Sequence, residues 1–163
     1  MKKIITTLFL MANLISMAQN GKAATIKKTF SRTTTISQTI DADITTVWEI
    51  LTNASNYSKW NSTIISIEGE IKKGSKIKLI STLDSTRIFK LKVKEAIPNQ
   101  KLVWGDAMGK RTYTLEKKEG KTLFTMNEKI GGFMFPLFAN KIPSFDESFE
   151  QFTADLKKEA ESK

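Results

Sequence analysis

Apolar and polar residues alternate along most of the chain between residues 64 and 131, and turn residues interrupt the alternation at short intervals. Lys72-Lys73-Gly74, Pro98-Asn99 and Glu119-Gly120 are such interruptions. Short alternating runs joined by tight turns are typical of an antiparallel meander. The pattern predicts six strands at 64–71, 75–83, 87–97, 100–108, 110–117 and 122–131.

The pattern changes on both sides of this meander. Residues 29–40 are rich in Thr, Ser and Ile, which is strand composition. Asp43 is a suitable helix cap, and Ile44, Val47 and Leu51 follow it at helical spacing. Residues 53–61 predict a second, short helical segment. At the other end, the apolar residues of 145–160 recur at helical steps and predict a long amphipathic helix.

The turns also predict which strand residues face each other, because facing residues share a side of the sheet. A turn at Glu119-Gly120 pairs Tyr113 with Met126, and a turn at Met108-Gly109 pairs Trp104 with Tyr113. The registers place the apolar residues on one face: Ile77, Leu79, Phe89, Leu91, Val93, Trp104, Tyr113, Leu115, Phe124 and Met126. Polar residues fall on the other face: Lys76, Lys78, Lys90, Lys92, Lys94, Thr112, Thr114 and Glu116.

Three charged residues are exceptions on the apolar face. The same registers align Asp106, Arg111 and Glu128 in one cross-strand row. A charge in an apolar environment needs a partner, and an arginine between two carboxylates supplies one. The row is therefore either a polar anchor for a ligand inside a cavity or a structural ion triad near the rim of the sheet.

Several short motifs in a fixed order carry a family resemblance. They are residues 40–42 before Val-Trp-Glu-Ile-Leu at 47–51, Tyr-Ser-Lys-Trp-Asn at 57–61, Ile-Glu-Gly at 67–69 with Gly-Ser-Lys-Ile at 74–77, Pro-Asn-Gln-Lys-Leu-Val-Trp at 98–104, and Glu128 with Gly131-Gly132. From residue 29 to the end, the chain resembles the START-like (Bet v 1-like, SRPBCC) superfamily, in its bacterial polyketide cyclase/dehydrase and lipid-transport branch.

The resemblance implies an α+β helix-grip fold. A curved antiparallel sheet of about seven strands would wrap around the long C-terminal helix, with two short helices after the first strand. It also implies a hydrophobic cavity between sheet and helix. We expect its lining among Trp60, Leu79, Phe89, Leu91, Trp104, Asp106, Arg111, Tyr113, Met126, Glu128 and Phe149.

Two missing residue types limit the chemistry. The chain has no Cys and no His, so it lacks thiol nucleophiles, Ser-His triads and the commonest transition-metal ligands. It also has no P-loop, no dinucleotide glycine motif and no acidic loop suited to Ca²⁺. We therefore expect no cofactor and no metal site.

The first residues predict export. Lys2 and Lys3 precede an apolar run at 4–15, and Ser16-Met17-Ala18 offers small residues at a cleavage site. This order is typical of a secretory signal peptide. We predict a signal peptide at 1–18, a flexible leader at 19–28 and one domain at 29–163, located in the periplasm or outside the cell. The alternative is an uncleaved N-terminal anchor.

The chain is basic, with a formal net charge of +9. The lysines of the outer sheet face form a basic surface, but export and the lack of interleaved aromatics argue against nucleic acid. Peripheral contact with an anionic membrane surface is the more plausible partner. The apolar residues around Pro136, which are Phe133, Phe135, Leu137 and Phe138, form either a lip for ligand entry or membrane contact, or ordinary packing. We expect a monomer.

Three functions remain open from the sequence. The first is a non-enzymatic binder or carrier of a small hydrophobic or lipid-like ligand. The second is a cyclase or dehydrase type of enzyme, with proton transfer by Glu128, Asp106 or Tyr113 and Arg111 steadying an enolate. Such an enzyme needs a carboxylate of raised pKa, whereas a neighbouring arginine generally lowers it, so the sequence favours a non-enzyme. The third is a protein-interaction module, like chaperone-activating relatives of the same fold.

The export prediction has a direct test. We expect cleavage between Ala18 and Gln19, so the intact mass of the exported protein should correspond to a chain that begins at Gln19. An exported chain that retains Met1 would contradict the cleavage site.

Overall fold

The structure is a computed structural model that describes residues 21–163. The predicted signal peptide at 1–18, its cleavage site and the start of the predicted leader lie outside the described residues. The predicted export therefore remains a prediction.

The described residues form eight strands and four α-helices. The strands are β1 Ala24–Lys28, β2 Ser31–Ile40, β3 Ile64–Glu68, β4 Lys76–Ser81, β5 Asp84–Ile97, β6 Lys101–Gly105, β7 Gly109–Lys118 and β8 Lys121–Gly131. The helices are α1 Ile44–Thr52, α2 Tyr57–Trp60, α3 Phe135–Phe138 and α4 Asp146–Glu161. Short 3₁₀ turns lie at Ala54–Asn56 and Ala139–Lys141.

All eight strands belong to one antiparallel sheet in the order β1-β2-β8-β7-β6-β5-β4-β3. The pairing of β2 with β8 joins the start of the chain to the end of the meander. The long helix α4 packs on the inner face through Phe149, Phe152 and Leu156. The predicted α+β helix-grip fold, with two short helices after the first long strand, is confirmed.

The eighth strand corrects one prediction. Residues 24–28, expected in a flexible leader, form β1 and pair with β2 from Ala24 opposite Thr35 to Lys28 opposite Ser31. A two-residue turn of Thr29 and Phe30 joins the two strands. The polar composition of β1 conceals it in the sequence, because an edge strand that leaves one side to water needs little apolar surface.

The predicted registers are confirmed in the last hairpin and in the β5–β6 pair, where the expected turn at Pro98-Asn99 places Val93 opposite Trp104. They are wrong by two residues in the β4–β5 and β6–β7 pairs. Tyr113 faces Met126 as expected. In contrast, Trp104 faces Arg111 instead of Tyr113, and Leu79 faces Phe89 instead of Leu91. A shift of two residues keeps every side chain on its face. The predicted inner and outer faces therefore survive, and Ile77, Val93 and Phe124 are buried.

An aromatic cluster under α4 is the centre of the core. The ring of Phe152 lies 5.6 Å from that of Trp60, 5.8 Å from that of Tyr113 and 6.4 Å from that of Phe124. Aromatic pairs at such distances add to the free energy of burial. The cluster joins α4 to α2, β7 and β8, so the packing of α4 on the sheet depends on it.

We therefore expect Phe152→Ala to lower the free energy of unfolding by about 3–5 kcal/mol, since it empties a fully enclosed site. Phe133→Ala is the matched control, because Phe133 is 86% exposed and should change stability by less than about 0.5 kcal/mol. Urea unfolding of both variants measures the difference. Equal losses in the two variants would contradict this account of the core.

Candidate functional site

A cavity of about 460 Å³ lies at the end of the sheet that α4 does not cover. The ends of β4, β5, β6 and β7 form its walls, and residues 141–148 close one side. Its apolar lining comes from Leu79 of β4, Phe89 and Leu91 of β5, and Trp104 of β6. Arg111 and Glu128 supply charged groups in the same lining.

The structure separates the eleven predicted cavity residues into two groups. Seven line this cavity: Leu79, Phe89, Leu91, Trp104, Asp106, Arg111 and Glu128. The other four, Trp60, Tyr113, Met126 and Phe149, are buried in the packed core instead. They lie on the predicted face, but α2 and α4 cover them.

Arg111 and Glu128 form the central ion pair of the cavity. They face each other on β7 and β8, and Arg111 Nε donates to Glu128 Oε2 at 2.5 Å. Arg111 Nη2 contacts the same oxygen. The two side chains are only 18% and 16% exposed, and the guanidinium carbon lies 5.0 Å from the ring centre of Phe149. The cation is therefore held by a carboxylate and by an aromatic face.

The electrostatics of the pair keep the arginine charged. Burial lowers the pKa of Arg111, but the charge of Glu128, the neighbouring Tyr113 and the hydrogen bond to Glu128 together outweigh it, so that the pKa lies above its ordinary value. Both contacts engage Oε2 of Glu128. Oε1 accepts no hydrogen bond from a side chain within residues 21–163, so this oxygen can accept one from a ligand. The pair thus offers a fixed cation and a carboxylate oxygen in an apolar wall, which suits the polar end of a mainly apolar molecule.

Asp106 corrects the predicted triad. It lies beyond the end of β6, is exposed, and accepts hydrogen bonds from the backbone N–H groups of Met108 and Gly109 at 2.8 and 2.9 Å. The turn that it stabilises is centred on Ala107 and Met108, one residue before the predicted Met108-Gly109 turn, and this displacement shifts the β6–β7 register by two. Asp106 therefore lies at the cavity rim as a turn residue, and the inward row is an ion pair.

Tyr113 lies behind the cavity wall. Its side chain is 1% exposed, and its hydroxyl has no hydrogen-bond partner among the described residues. Burial raises the pKa of Tyr113 well above its ordinary value, so the phenol is protonated at neutral pH. A role for Tyr113 in proton transfer to a ligand has no support from this position.

Arg32 is a positioning residue that the sequence reasoning missed. It lies on the inner face of β2 and donates to the carbonyls of Ile142 and Pro143 at 3.1 and 2.7 Å. Its guanidinium carbon is 4.7 Å from the ring centre of Phe145. Arg32 therefore holds the segment that closes the cavity. The signal was present, because Arg32, Thr34 and Ile36 alternate on the buried face.

Metal and membrane-spanning signals are absent from the part of the chain that the structure describes. Within residues 21–163, no three His, Cys, Asp or Glu residues gather in a way that suits a metal ion. No described helix has the length and apolar character needed to cross a bilayer.

Comparison with known families decides the affiliation. The family model described as "Activator of Hsp90 ATPase homolog 1-like protein" matches residues 41–161. The chain belongs to this family. The match covers α1 through α4 and most of the sheet, and it confirms the START-like (SRPBCC) resemblance of the sequence motifs. No curated protein is similar enough to the chain to count as a match.

Solved structures share the fold at low sequence identity. The di-domain ARO/CYC protein BexL from the BE-7585A biosynthetic pathway is 12% identical, with a TM-score of 0.65, over 84% of this chain and 52% of its own. The Aha1 dimer from Colwellia psychrerythraea is 21% identical, with a TM-score of 0.59, over 78% of this chain and 94% of its own. A protein from the dynemicin biosynthetic locus is 15% identical, with a TM-score of 0.60, over 76% of this chain. This chain spans only 45% of that protein. At these identities the likeness shows the fold alone.

The Arg111–Glu128 pair can be tested by a double-mutant cycle. Arg111→Met and Glu128→Gln each leave a partly buried charge without its partner, so each should lower the free energy of unfolding by roughly 1–3 kcal/mol. The double variant should lose less than the sum of the two. Urea unfolding gives the coupling free energy.

The exposed pair of Lys78 and Glu68 is the matched control for this cycle. Their side chains are 57% and 68% exposed, so their coupling should stay below about 1 kcal/mol. Unchanged stability and unchanged ligand binding in Arg111→Met would remove both the structural and the anchoring role of the pair.

Proposed function

We propose that this protein binds and carries a small, mainly apolar molecule with a polar end, such as a lipid, in the cavity beside α4. The observation that carries the proposal is a cavity of about 460 Å³ whose apolar wall contains one inward ion pair. Ligand sites of proteins typically have this size and this mixture of many apolar groups with few polar ones.

The apolar wall supports the affinity. Val93 of β5 is fully buried, whereas Leu91 and Phe89, further along the same face, are only half-buried and line the cavity. The Arg87 guanidinium lies 4.7 Å from the ring centre of Phe89, but part of this apolar surface stays open to the cavity. A ligand that removes it from water gains about 25 cal/mol per Å² of apolar area.

The ion pair supports the orientation of the ligand. Glu128 and the ring of Phe149 hold the Arg111 guanidinium in one place, so a ligand meets it without ordering a flexible side chain. The remaining N–H groups of an arginine suit a carboxylate, phosphate or hydroxyl oxygen. An anionic or hydroxylated end group is therefore the chemistry that we expect.

Export forms part of the proposal. The basic start, the apolar run and the small residues before Gln19 support a secretory signal, and the lack of Cys is compatible with an oxidising compartment. A carrier in the cell envelope is the role that joins these features to the cavity.

A protein-interaction module is a second candidate, because the matching family is named after an activator of the Hsp90 ATPase. Export would remove such a module from a cytosolic chaperone. A pull-down from envelope extracts with the full chain discriminates between the two roles, because a stoichiometric protein partner with an empty cavity would favour the module.

A cyclase or dehydrase type of enzyme is a third candidate, and Glu128 is the carboxylate that would act in it. Asp106 lies outside the ion pair. Tyr113 lies beside Arg111, but its buried phenol stays protonated and supplies no second carboxylate. Loss of turnover in Glu128→Gln with ligand affinity retained would favour the enzyme over the carrier.

The binding proposal predicts an effect of filling the cavity. Leu91→Trp places extra volume inside it, so the affinity for the apolar anionic dye anilinonaphthalene sulfonate should fall at least about tenfold, equivalent to roughly 1.4 kcal/mol of lost apolar burial. Fluorescence titration measures the affinity. Native mass spectrometry of the purified protein should show a co-purified adduct that this variant loses.

Ile88→Trp is the matched control on the same strand, because Ile88 is 53% exposed and does not line the cavity. It should leave dye affinity unchanged. A wild-type cavity that takes neither dye nor adduct would count against the proposal, and equal effects of the two variants would show that the dye binds elsewhere.

A further inference from the structure

A second concave surface lies on the outer face of the sheet, next to the cavity. This open groove has a volume of about 540 Å³ and is separate from the inner apolar wall. Three lysines, Lys94, Lys110 and Lys129, line it together with Phe30 and Phe133. The combination of cations and exposed aromatic rings differs from the all-lysine surface that the sequence predicts on β4 and β5.

Two lysines of the groove, Lys110 and Lys129, belong to a longer row. Lys76 faces Lys92, Lys92 faces Gly105, Gly105 faces Lys110, and Lys110 faces Lys129. Because facing residues share one side of the sheet, four lysines form one cross-strand line over five strands. We call Lys76, Lys92, Lys110 and Lys129 the lysine row. With strands about 4.8 Å apart, it spans roughly 19 Å.

The lysine row has no internal counter-charge. Like charges directly opposite each other destabilise a sheet. None of the four lysines takes part in a salt bridge with any other residue in the described range 21–163. The Lys118–Lys121 pair at the other end of the β7–β8 hairpin differs, because Lys121 has Asp41 at 3.3 Å. The row therefore presents positive charge to solvent that no described residue neutralises.

Apolar side chains extend from the same end of the sheet. Phe133, Leu137 and Met134 are 86%, 72% and 56% exposed, and we call them the apolar tip. The ring of Phe133 stacks on that of Phe30 at 6.4 Å. Adjacent exposed apolar residues of this size mark a contact with a protein or a membrane. Of the predicted apolar lip around Pro136, only Phe135 is buried.

We propose that the lysine row and the apolar tip together dock this protein on an anionic lipid bilayer. The lysines would contact the headgroups, and Phe133, Met134 and Leu137 would enter the interface between headgroups and acyl chains. A soluble polyanion would satisfy the lysines equally well. It would leave the apolar tip in water, and for this reason the bilayer is the better match.

The docking surface and the cavity share one turn. Asp106, Met108, Gly109 and Lys110 line both the groove and the cavity. Docking would place the cavity at the bilayer surface, where a lipid-like ligand can enter or leave. This last consequence rests on the proposed function, whereas docking itself depends only on the outer face.

Co-sedimentation of the protein, purified from its host, with lipid vesicles tests the proposal. We expect binding to vesicles of equal parts phosphatidylcholine and phosphatidylglycerol, and weaker binding to phosphatidylcholine alone. Lys110→Gln with Lys129→Gln should weaken the partitioning into anionic vesicles roughly 30-fold, and Phe133→Ser at least about tenfold. High salt should remove the contribution of the lysines.

Two control variants match these changes. Lys118→Gln with Lys121→Gln removes the same charge from a facing pair on the same two strands, at the opposite end of the hairpin. Ile97→Ser removes an apolar side chain that is 42% exposed at the end of β5. Both should leave vesicle binding unchanged. A loss as large in these controls would overturn the assignment of the surface.

The site of insertion can be observed directly. In Phe133→Trp, brominated lipids should quench tryptophan fluorescence beyond the level seen in the wild type. No binding to anionic vesicles, or no additional quenching, would overturn the proposal. Binding to heparin as tight as binding to vesicles, and unaffected by Phe133→Ser, would identify a soluble polyanion as the partner instead. Dye binding in the cavity is measured without vesicles, so failure of docking is distinguishable from failure of the proposed function.

Discussion

The contact between the apolar stripe of α4 and the concave face of the sheet is the interaction on which the rest of this structure depends. A sheet with one apolar face is stable in water only when that face is covered. Phe149, Phe152 and Leu156 supply the cover, and the rings around Phe152 connect the helix to α2 and to the centre of the sheet. Without this contact, the meander would expose its inner face to water.

The cavity exists because helix α4 is shorter than the inner face of the sheet that it covers. The helix begins at Asp146, and the ends of β4, β5 and β6 extend past it. Along β5, burial decreases from Val93 to Leu91 and Phe89 as the cover ends. Arg111 lies at this boundary, close enough to the helix to meet the ring of Phe149 and close enough to the opening to line the cavity. The difference in extent between α4 and the sheet face thus produces both the apolar wall of the cavity and the partly buried charge of Arg111 in that wall.

Sequence reasoning identified the two faces of the sheet despite the register errors. Side chains alternate between the faces with a period of two residues, so an error of two residues leaves each side chain on its own face. The Glu119-Gly120 turn was placed correctly, since both residues adopt the positive φ angles of 52° and 80° that a two-residue hairpin favours. The turn at Asp106 was misplaced because its side chain, and not a glycine pair, organises the loop. The same misplacement produced the predicted triad.

The alternation pattern predicts the face on which a residue lies, but it does not predict how deeply the residue is buried. Trp60, Tyr113, Met126 and Phe149 point to the expected side, yet they lie under helices whose positions no local pattern specifies. Arg32 shows the converse case. Its place in the alternation was visible, but the carbonyls that it binds are more than a hundred residues away in the sequence, and a single sequence does not reveal such partners.

The anchoring of the segment between β8 and α4 has a mechanical consequence. Its first residue, Gly132, donates from its N–H group to the carbonyl of Phe30 at 3.0 Å, and its last residues are bound by Arg32. The two ends of this strap are therefore bound two residues apart, by Phe30 in the β1–β2 turn and by Arg32 near the start of β2. The same hairpin is bound to α4, because Thr25 donates to Asp146 and the N–H of Ala23 donates to Glu150. The β1–β2 hairpin therefore couples the position of the strap to the position of the helix, so that the three elements would move as one unit.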